Sequence, residues 1–458
     1  MENRAAELVF IPAPGLGHIM STIEIANFFV NRDQRLSVTV LVIKPPSSSS
    51  GSTVTTYIQS LAKNTMDHIS FLELPQDKIP PTSDSKGPLT AYNIEFIKSH
   101  CRHVRNIMAD MISKPGSRRV AAFVIDMFCT SMINVVNEFN VPTYAFFTCN
   151  AAFLGFKFYI QTLCDDKNQD VIQLSHSDTE IRVPTFVKPI PTKVLPAIVR
   201  TRESLVCHLH GDYERESLDD DVIRWLDDQP PASVVFLCFG SMGSFEEVQV
   251  KEIVHALEQS GHHFLWSLRR PPSDSTSRVT RDYEDPRVVL SEGFLERTTG
   301  IGKVIVWAPQ VAVLAHRAVG GFVSHCGWNS LLESIWFGVP VVVWPMYAEQ
   351  PINAFEMVVE LGLAVEIKLD YRKDLFNPMA ETVIVTTEEI EIGIRRLMED
   401  DSIRTKVKMM SSQSRSTVKF NIKIVFLKVW TEYIQGQRVR CILKICLWVQ
   451  KPVSLLKY

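Results

Sequence analysis

The sequence predicts an α/β protein with two doubly wound domains, each built on a parallel sheet. Short apolar runs alternate with amphipathic helical stretches in the first half, and the same alternation starts again near residue 233. Strands that alternate with helices are typical of βαβ units and of parallel sheets. The length of 458 residues is compatible with two to four domains, and the repeated alternation favours two.

Each apolar run is short enough to be a buried strand. The first half contains five predicted strands, Leu8–Ile11, Val38–Ile43, Ile69–Leu74, Ala121–Ile125 and Pro142–Phe147. Helical patterns lie between them, over about 19–30, near 90–113 and over 130–139. The second half contains six more predicted strands, Ser233–Phe239, His263–Leu268, Lys303–Val306, Gly321–Ser324, Pro340–Trp344 and Leu363–Ile367.

The chain is predicted to divide into a first domain over 1–215, a second domain over 216–415 and an atypical basic tail over 416–458. Residues 411–458 contain nine Lys or Arg residues and a single acidic residue, Glu432. Two interpretations of this tail stay open. It is either a helix that packs across the domains or a segment that attaches to a membrane, and the polar residues that interrupt its apolar face favour the helix.

Composition excludes several classes of protein. Apolar residues make up 46% of the chain and the net charge is −3, which argues against a disordered chain and against a general nucleic-acid binder. The nine cysteines form no Cys-x-x-Cys pair, which indicates free thiols in a reducing compartment. The sequence has no signal peptide and no apolar stretch of about 20 residues. We therefore expect a soluble cytoplasmic protein.

A possible anion site follows one strand of the second half. The segment Ser324–Ser330 comes directly after the strand that ends near Val323, and Gly327 permits a tight turn there. A helix that starts near Trp328 points backbone N–H groups and its positive dipole end at a ligand such as a diphosphate. Further hydrogen-bond donors are supplied by His325, Asn329 and Ser330.

Other polar residues nearby suit the rest of a sugar nucleotide. Trp307 follows a strand and can stack on a flat heterocycle, with Gln310 three residues later. Glu333 lies on the same helix face as the predicted anion site and can accept hydrogen bonds from ribose hydroxyls. Glu349 and Gln350 follow the next strand and suit sugar hydroxyls. Each residue alone is explained equally well as a turn, a cap or part of the core, whereas the whole set favours a nucleotide site.

His18 is a candidate general base. It follows the first predicted strand, and a neutral imidazole can take a proton from a hydroxyl near pH 7. Asp126 closes the strand Ala121–Ile125, so both side chains are expected at the carboxyl edge of one sheet, where a carboxylate orients the imidazole. The residues alone leave a second interpretation open, in which Asp126 caps the helix that begins near Met127.

Residues 307–350 resemble the 44-residue signature box of the plant family 1 UDP-dependent glycosyltransferases, and the resemblance extends from residue 6 to about 415. It implies the GT-B fold, with two Rossmann-like domains facing a cleft. It further implies a nucleoside site at Trp307, Ala308 and Gln310, a diphosphate site that includes Ser241, a ribose site at Glu333, and a sugar site at Glu349 and Gln350. Within the diphosphate site the resemblance also places His325, Gly327, Trp328, Asn329 and Ser330.

The resemblance also implies a mechanism. His18 and Asp126 match the catalytic pair of the family, and Thr148 matches a hydroxyl that touches the transferred sugar. The implied reaction is a metal-free, inverting transfer from UDP-glucose to a small hydrophobic acceptor, such as a flavonoid, a phenolic or a hormone-like acid, by a monomeric enzyme. Five aromatic residues either line the acceptor pocket or belong to the core, namely Phe96, Phe128, Phe146, Phe153 and Tyr159.

Two segments depart from the family pattern. Between His208 and Trp225 the sequence lacks a recognisable strand and linker, which is expected to leave an unpaired edge on the first sheet. The tail after Arg415 does not resemble the closing helix of the family. Both departures suit a mis-joined reading frame, so a catalytically impaired UDP-sugar-binding relative is kept as an alternative. A nicotinamide-dependent oxidoreductase is disfavoured, since Gly15-Leu16-Gly17-His18 lacks the third glycine of the nucleotide motif.

Overall fold

The computed structural model describes most of the chain, namely residues 6–44, 55, 57–58, 68–75, 95–113, 118–165, 179–196, 220–240, 242–272, 280–371, 383–420, 426–431 and 441–446. The chain forms two compact units. The first comprises residues 1–149, 206–214 and 422–458, and the second comprises residues 150–205 and 215–421. The domain limits at 215 and 415 stay predictions, and residues 150–205 are grouped with the second unit.

The first unit contains all five strands that the first half of the sequence predicts. They are β1 Ala6–Ile11, β2 Leu36–Val42, β3 Ile69–Glu73, β4 Arg119–Asp126 and β5 Thr143–Phe146. They pair in parallel in the order β3-β2-β1-β4-β5. The helices of this unit are α1 Leu16–Arg32, α2 Cys101–Ser113 and α3 Ile133–Asn137, with a short 3-10 turn at Thr130–Met132.

The second unit contains a small antiparallel pair, β6 Glu180–Ile181 and β7 Ile190–Pro191, and the six strands predicted for the second half. These six strands are β8 Val234–Cys238, β9 His263–Ser267, β10 Gly302–Ile305, β11 Val319–Ser324, β12 Val341–Val343 and β13 Ala364–Glu366. They are parallel, in the order β10-β9-β8-β11-β12-β13. The helices are α4 Ala151–Asp165, α5 Asp220–Asp227, α6 Glu247–Ser260, α7 Phe294–Arg297, α8 Gln310–Ala315, α9 Trp328–Phe337, α10 Gln350–Phe355, α11 Thr387–Glu399 and α12 Asp401–Phe420.

Both sheets are covered on their two faces, as the continuous apolar runs in the sequence predict. In β8, Val235 and Leu237 belong to one buried cluster, while Val234 and Phe236 belong to the cluster on the opposite face. The first unit repeats this arrangement, since neighbouring residues of β1 pack into different clusters. The α/β fold class with two Rossmann-like sheets is therefore confirmed.

Two corrections concern the tail and the edge of the first sheet. Strand β14, Phe426–Thr431, pairs antiparallel with β5, and β15, Cys441–Cys446, pairs antiparallel with β14. The edge of β5, expected to lack a neighbour, is therefore paired, and the two described segments after residue 421 are strands instead of the helix that the sequence favoured. Segments rich in β-branched and aromatic residues suit an open sheet edge. Among the helices that the structure describes, none has the length and apolar character needed to cross a bilayer.

The order of the strands fixes where a ligand can bind. In the first sheet the connections leave β1 and β4 in opposite directions, and in the second sheet they leave β8 and β11 in opposite directions. Such a switch point opens a crevice at the carboxyl ends of the two strands, where doubly wound proteins bind ligands. The residues after β1, β4, β8 and β11 are therefore candidates for a ligand site in each unit.

The N-terminal cap of helix α11 provides a test of what stabilises the second unit. Thr386 caps this helix: its hydroxyl accepts from the Glu389 N–H, and the Glu389 carboxylate accepts from the Thr386 N–H at 2.9 Å. We expect Thr386→Ala to lower the free energy of unfolding by about 1 kcal/mol, because a backbone donor loses its partner. Thr386→Ser keeps the hydroxyl and is the control. Urea unfolding monitored by tryptophan fluorescence measures both, and equal stabilities of the two variants would contradict the capping role.

Candidate functional site

His18 and Asp126 meet at the switch point of the first sheet. His18 lies in the first turn of α1, which follows β1, and Asp126 is the last residue of β4. The distance from His18 Nδ1 to Asp126 Oδ2 is 2.7 Å although 108 residues separate them in the chain. The carboxylate is 1% exposed and the imidazole 20% exposed. A buried carboxylate of this kind holds the ring in one orientation and stabilises a positive charge on it.

The two carboxylate oxygens of Asp126 have different partners. While Oδ2 contacts His18, Oδ1 accepts from the backbone N–H of Phe128 at 3.0 Å. The structure therefore contains the contacts of both interpretations. Asp126 holds the imidazole of His18 and also accepts from a backbone N–H of the following turn. Thr148 lies beside this pair, with its hydroxyl oxygen 3.5 Å from His18 Nδ1.

The five aromatic residues proposed for the acceptor pocket are distributed over the two units. The Phe128 ring meets the His18 ring edge-on, with 5.5 Å between the centroids, and it is 9% exposed. Phe96 belongs to the buried core of the first unit, and Phe146 packs against the cluster on the other face of its sheet. Phe153 and Tyr159 lie on α4 in the second unit. Of the five, Phe128 contacts the candidate base, and the others include core residues, as the second interpretation held.

The turn after β11 leads into α9 as predicted, and α9 begins at Trp328. The residue of the turn with a left-handed backbone is Cys326, with φ 66°, whereas Gly327 has an ordinary φ of −59°. Gly327 is required because a Cβ there would lie 2.6 Å from His325 Nε2. Close approach of the imidazole, and not a positive φ, accounts for this glycine.

His325 is a buried and neutral imidazole at the switch point of the second sheet. A Cβ at Gly240 would also lie within 2.7 Å of its Nε2, so glycines on two sides make room for the ring. Burial lowers the pKa of His325 to about 4, although a hydrogen bond with the Cys238 backbone acts in the opposite direction. Its Nδ1 is buried and has no hydrogen-bond partner in the part of the chain that the structure describes. The neutral ring is therefore suited to hydrogen bonding and not to ion pairing.

Three of the predicted nucleotide residues are bonded to one another. The amide nitrogen of Gln310 donates to Ser330 Oγ at 3.0 Å and to Glu333 Oε2 at 2.7 Å. Gln310 is the first residue of α8, while Ser330 and Glu333 lie on α9. The structure therefore brings together side chains that are up to 23 residues apart. Asn329 is exposed in the first turn of α9, next to the half-buried Trp328.

Trp307 has a neighbour that the sequence analysis missed. The guanidinium of Arg269 lies 5.3 Å from the centroid of the Trp307 ring, and Arg269 is 8% exposed. Its nitrogens contact Thr280 and Asp282. A cation over an indole face is attracted to the ring and limits its movement. Since β9 and β10 are neighbours and both residues come just after these strands, strand order would have predicted the contact. Ala308, the next residue after Trp307, is buried.

The predicted sugar residues begin helix α10. Glu349 precedes the helix, and Gln350 is its first residue, 3% exposed. The Gln350 amide oxygen accepts from the backbone N–H groups of Met346 and Tyr347 at 3.0 and 2.9 Å. This oxygen therefore fastens the loop after β12, and the amide nitrogen is the group with which Gln350 can donate. The predicted phosphate contact Ser241 lies outside the described residues.

Among the residues that the structure describes, no group of three or more His, Cys, Asp or Glu side chains is placed to hold a metal ion. The metal-free mechanism implied by the sequence stays a prediction.

The pKa of His325 predicts an acid-sensitive second unit. Between about pH 6.5 and pH 4 the unfolded chain binds a proton on this residue that the folded chain does not, so stability falls as the pH falls through this range. The loss attributable to His325 is about 3 kcal/mol. We expect His325→Gln to show a smaller decline than the wild type in urea unfolding between about pH 7.5 and 4.5.

Glu356 titrates in the opposite sense to His325. The quantity to compare is therefore the difference in the free energy of unfolding between the wild type and His325→Gln. Burial raises the pKa of Glu356 to about 7, so its contribution to stability grows as the pH falls. This contribution is common to the wild type and to the variant and cancels between them. Equal declines in the two proteins would contradict the neutral, buried state of His325.

Comparisons with known proteins identify the family of the chain. The family model described as UDP-glucoronosyl and UDP-glucosyl transferase matches residues 90–420. The chain is 46% identical to UDP-glucose flavonoid 3-O-glucosyltransferase 6 of Fragaria ananassa, with 91% of this chain and 96% of that protein covered. It is also 46% identical to UDP-glycosyltransferase 71A15 of Malus domestica over the same shares of the two chains.

Solved structures agree in fold as well. A transferase of Siraitia grosvenorii in complex with UDP matches with a TM-score of 0.74 and 38% identity, over 91% of this chain and 96% of that one. UGT71G1 of Medicago truncatula, complexed with UDP-glucose, matches with a TM-score of 0.74 and 34% identity, over 91% and 95% of the two chains. Because the family model covers well over half of the sequence and these relatives are similar over nearly their whole length, the chain belongs to the UDP-glycosyltransferase family and has its GT-B fold.

Proposed function

We propose that the protein is an inverting, UDP-glucose-dependent O-glucosyltransferase, a hexosyltransferase that acts on a hydroxyl or carboxyl group of a small hydrophobic acceptor. The observation that carries the proposal is the contact of 2.7 Å between His18 and Asp126 at the carboxyl edge of the first sheet. Relatives named as UDP-glucose flavonoid glucosyltransferases support the donor and the reaction.

His18 would act as the general base. With Nδ1–H donating to Asp126, the neutral ring carries a lone pair on Nε2, which can take the proton of the acceptor. The acceptor oxygen then attacks the anomeric carbon of glucose while the bond from that carbon to the diphosphate oxygen breaks. A single displacement inverts the configuration, so the α-linked donor gives a β-glucoside. Asp126 stabilises the imidazolium that forms on His18.

The departing UDP gains negative charge, and the second unit would offset it. Backbone N–H groups at the start of the ten-residue helix α9 and its positive dipole end favour a diphosphate near Trp328. The neutral ring of His325 can donate one hydrogen bond without bringing a buried charge of its own. Ser241, Asn329 and Ser330 complete the proposed diphosphate site.

The other donor contacts follow from the chemistry of each side chain. Trp307 would stack on uracil, with Gln310 and Ala308 beside the nucleoside, and Glu333 would accept from the ribose hydroxyls. Glu349 and the amide nitrogen of Gln350 would bind the hydroxyls of glucose, and the Thr148 hydroxyl would also contact the transferred sugar.

The acceptor is proposed to be a flavonoid, a phenolic or a hormone-like acid. The Phe128 ring against His18 gives the candidate base an apolar neighbour, which suits a flat or hydrophobic molecule. Relatives at 46% and 45% identity carry flavonoid 3-O-glucosyltransferase in their names, which supports the same class.

We further propose that the protein acts in the cytoplasm, as a monomer and without a metal ion. Each cysteine whose side chain the structure describes is a free thiol, in keeping with a reducing compartment. Inversion by a His–Asp pair needs no Lewis acid, because the base and the anion site account for the two charges that develop.

A direct assay tests the proposal. Purified protein is incubated with UDP-glucose and a panel of flavonols, simple phenols and phenolic acids, and UDP and glucosides are measured by mass spectrometry. The expected products are glucosides whose anomeric proton shows the coupling of a β-linkage in NMR spectra. An α-glucoside would contradict inversion. Binding of UDP without turnover on any acceptor would instead favour the impaired relative.

Substitutions at the catalytic pair give a sharper prediction. We expect His18→Ala to lower kcat by roughly 10²–10⁴-fold, because the proton of the acceptor loses its base, while the Kd for UDP stays within about twofold of the wild-type value. Asp126→Asn should lower kcat at least about tenfold, since the imidazolium loses its counter-charge. His255→Ala removes an exposed histidine on α6 and serves as the control. Full activity of His18→Ala would refute the proposed base.

A further inference from the structure

Cys326 has a backbone conformation that few residues other than glycine adopt. It lies in the turn between β11 and α9 with φ 66°, and it is fully buried. A non-glycine residue in this region is held there only when its surroundings determine the conformation. The turn sets the direction in which α9 begins, and hence the direction of the N–H groups in its first turn.

Side chains satisfy both backbone polar groups of Cys326. Its N–H donates to Ser324 Oγ at 3.1 Å. Its carbonyl oxygen accepts from Asn353 Nδ2 at 3.0 Å. Asn353 lies on α10, 27 residues later, and is 0% exposed. The strained turn is therefore fastened from a separate helix by one buried amide.

A second buried amide fixes the orientation of the first. Asn353 Oδ1 accepts from Asn150 Nδ2 at 2.8 Å, and Asn150 Oδ1 accepts from the backbone N–H of Phe153 in the first turn of α4. The Cys326 carbonyl can only accept and the Phe153 N–H can only donate, so neither amide can be reversed without losing a hydrogen bond. The four groups form one directed chain of hydrogen bonds within the second unit.

We propose that Asn353 is a positioning residue for the diphosphate site, acting through the carbonyl of Cys326, and that Asn150 acts behind it by orienting its amide. This inference rests on the proposed function, because it takes the turn after β11 to be the place where the diphosphate binds. Asn353 does not touch the ligand in this account. It holds Cys326 in the left-handed conformation, so that His325 and the start of α9 face the phosphates.

The test compares UDP with uridine, which lacks the phosphates. In Asn353→Asp the side chain keeps its shape and can still accept from Asn150, but it places an oxygen against the Cys326 carbonyl oxygen. We expect its affinity for UDP to fall about tenfold, while its affinity for uridine stays within about twofold of the wild-type value. Calorimetry measures UDP binding, and ligand-observed NMR measures uridine. Asn134→Asp adds the same charge on an exposed helix position and is the matched control.

Each outcome separates one explanation. Equal losses for UDP and uridine in Asn353→Asp would show a merely structural role, and an unchanged preference for UDP would also overturn the inference. A wild-type protein that binds UDP no more tightly than uridine would instead refute the proposed diphosphate site itself. Asn150→Asp, which still accepts from Phe153 but no longer donates to Asn353, should lose UDP affinity in the same selective way by about threefold. If Asn353→Asp fails to fold, Asn150→Asp tests the positioning role in its place.

Discussion

The positions of the candidate site residues in both units depend on one topological constraint, the reversal of strand order beside the central strand of each sheet. In the first sheet the reversal separates β1 from β4, and the residues after these strands are His18 and Asp126. In the second sheet it separates β8 from β11, and the residues after these strands include Gly240 and His325. Because the strands are parallel, their carboxyl ends lie at the same edge of the sheet. Residues more than 80 positions apart in the chain therefore become neighbours.

Burial gives the two histidines different chemistry. His18 is partly exposed and contacts a carboxylate, which suits the general base proposed for this protein. His325 is buried between two glycines, and burial lowers its pKa to about 4. A neutral donor suits a site for a leaving group, because a permanently charged ring in the same place would cost desolvation energy before any ligand arrives. The surroundings of the two histidines therefore suit the two different roles proposed for them.

The sequence predicted the regular parts of this fold well, because buried parallel strands leave an unmistakable apolar run, and all eleven predicted strands are present. It also predicted that His18 and Asp126 lie close together, because both follow strands of one parallel sheet. It could not predict contacts that depend on how elements pack. Arg269 against Trp307 and Asn353 against Cys326 require the order of neighbouring strands and the position of α10. It also did not predict the left-handed backbone of Cys326, where buried hydrogen bonds satisfy both backbone polar groups.

The side chains proposed to bind the donor are held by hydrogen bonds within the protein. Gln310 joins Ser330 to Glu333, Gln350 holds the loop after β12, and two amides fasten the turn before α9. Side chains fixed in this way lose little rotamer freedom on binding, so more of the interaction energy appears as affinity. In the proposed reaction the same fixed dipoles would meet the charge of the departing diphosphate without having to reorient, which is the condition under which electrostatic stabilisation lowers a barrier. These hydrogen bonds are therefore part of the catalytic design proposed for this protein.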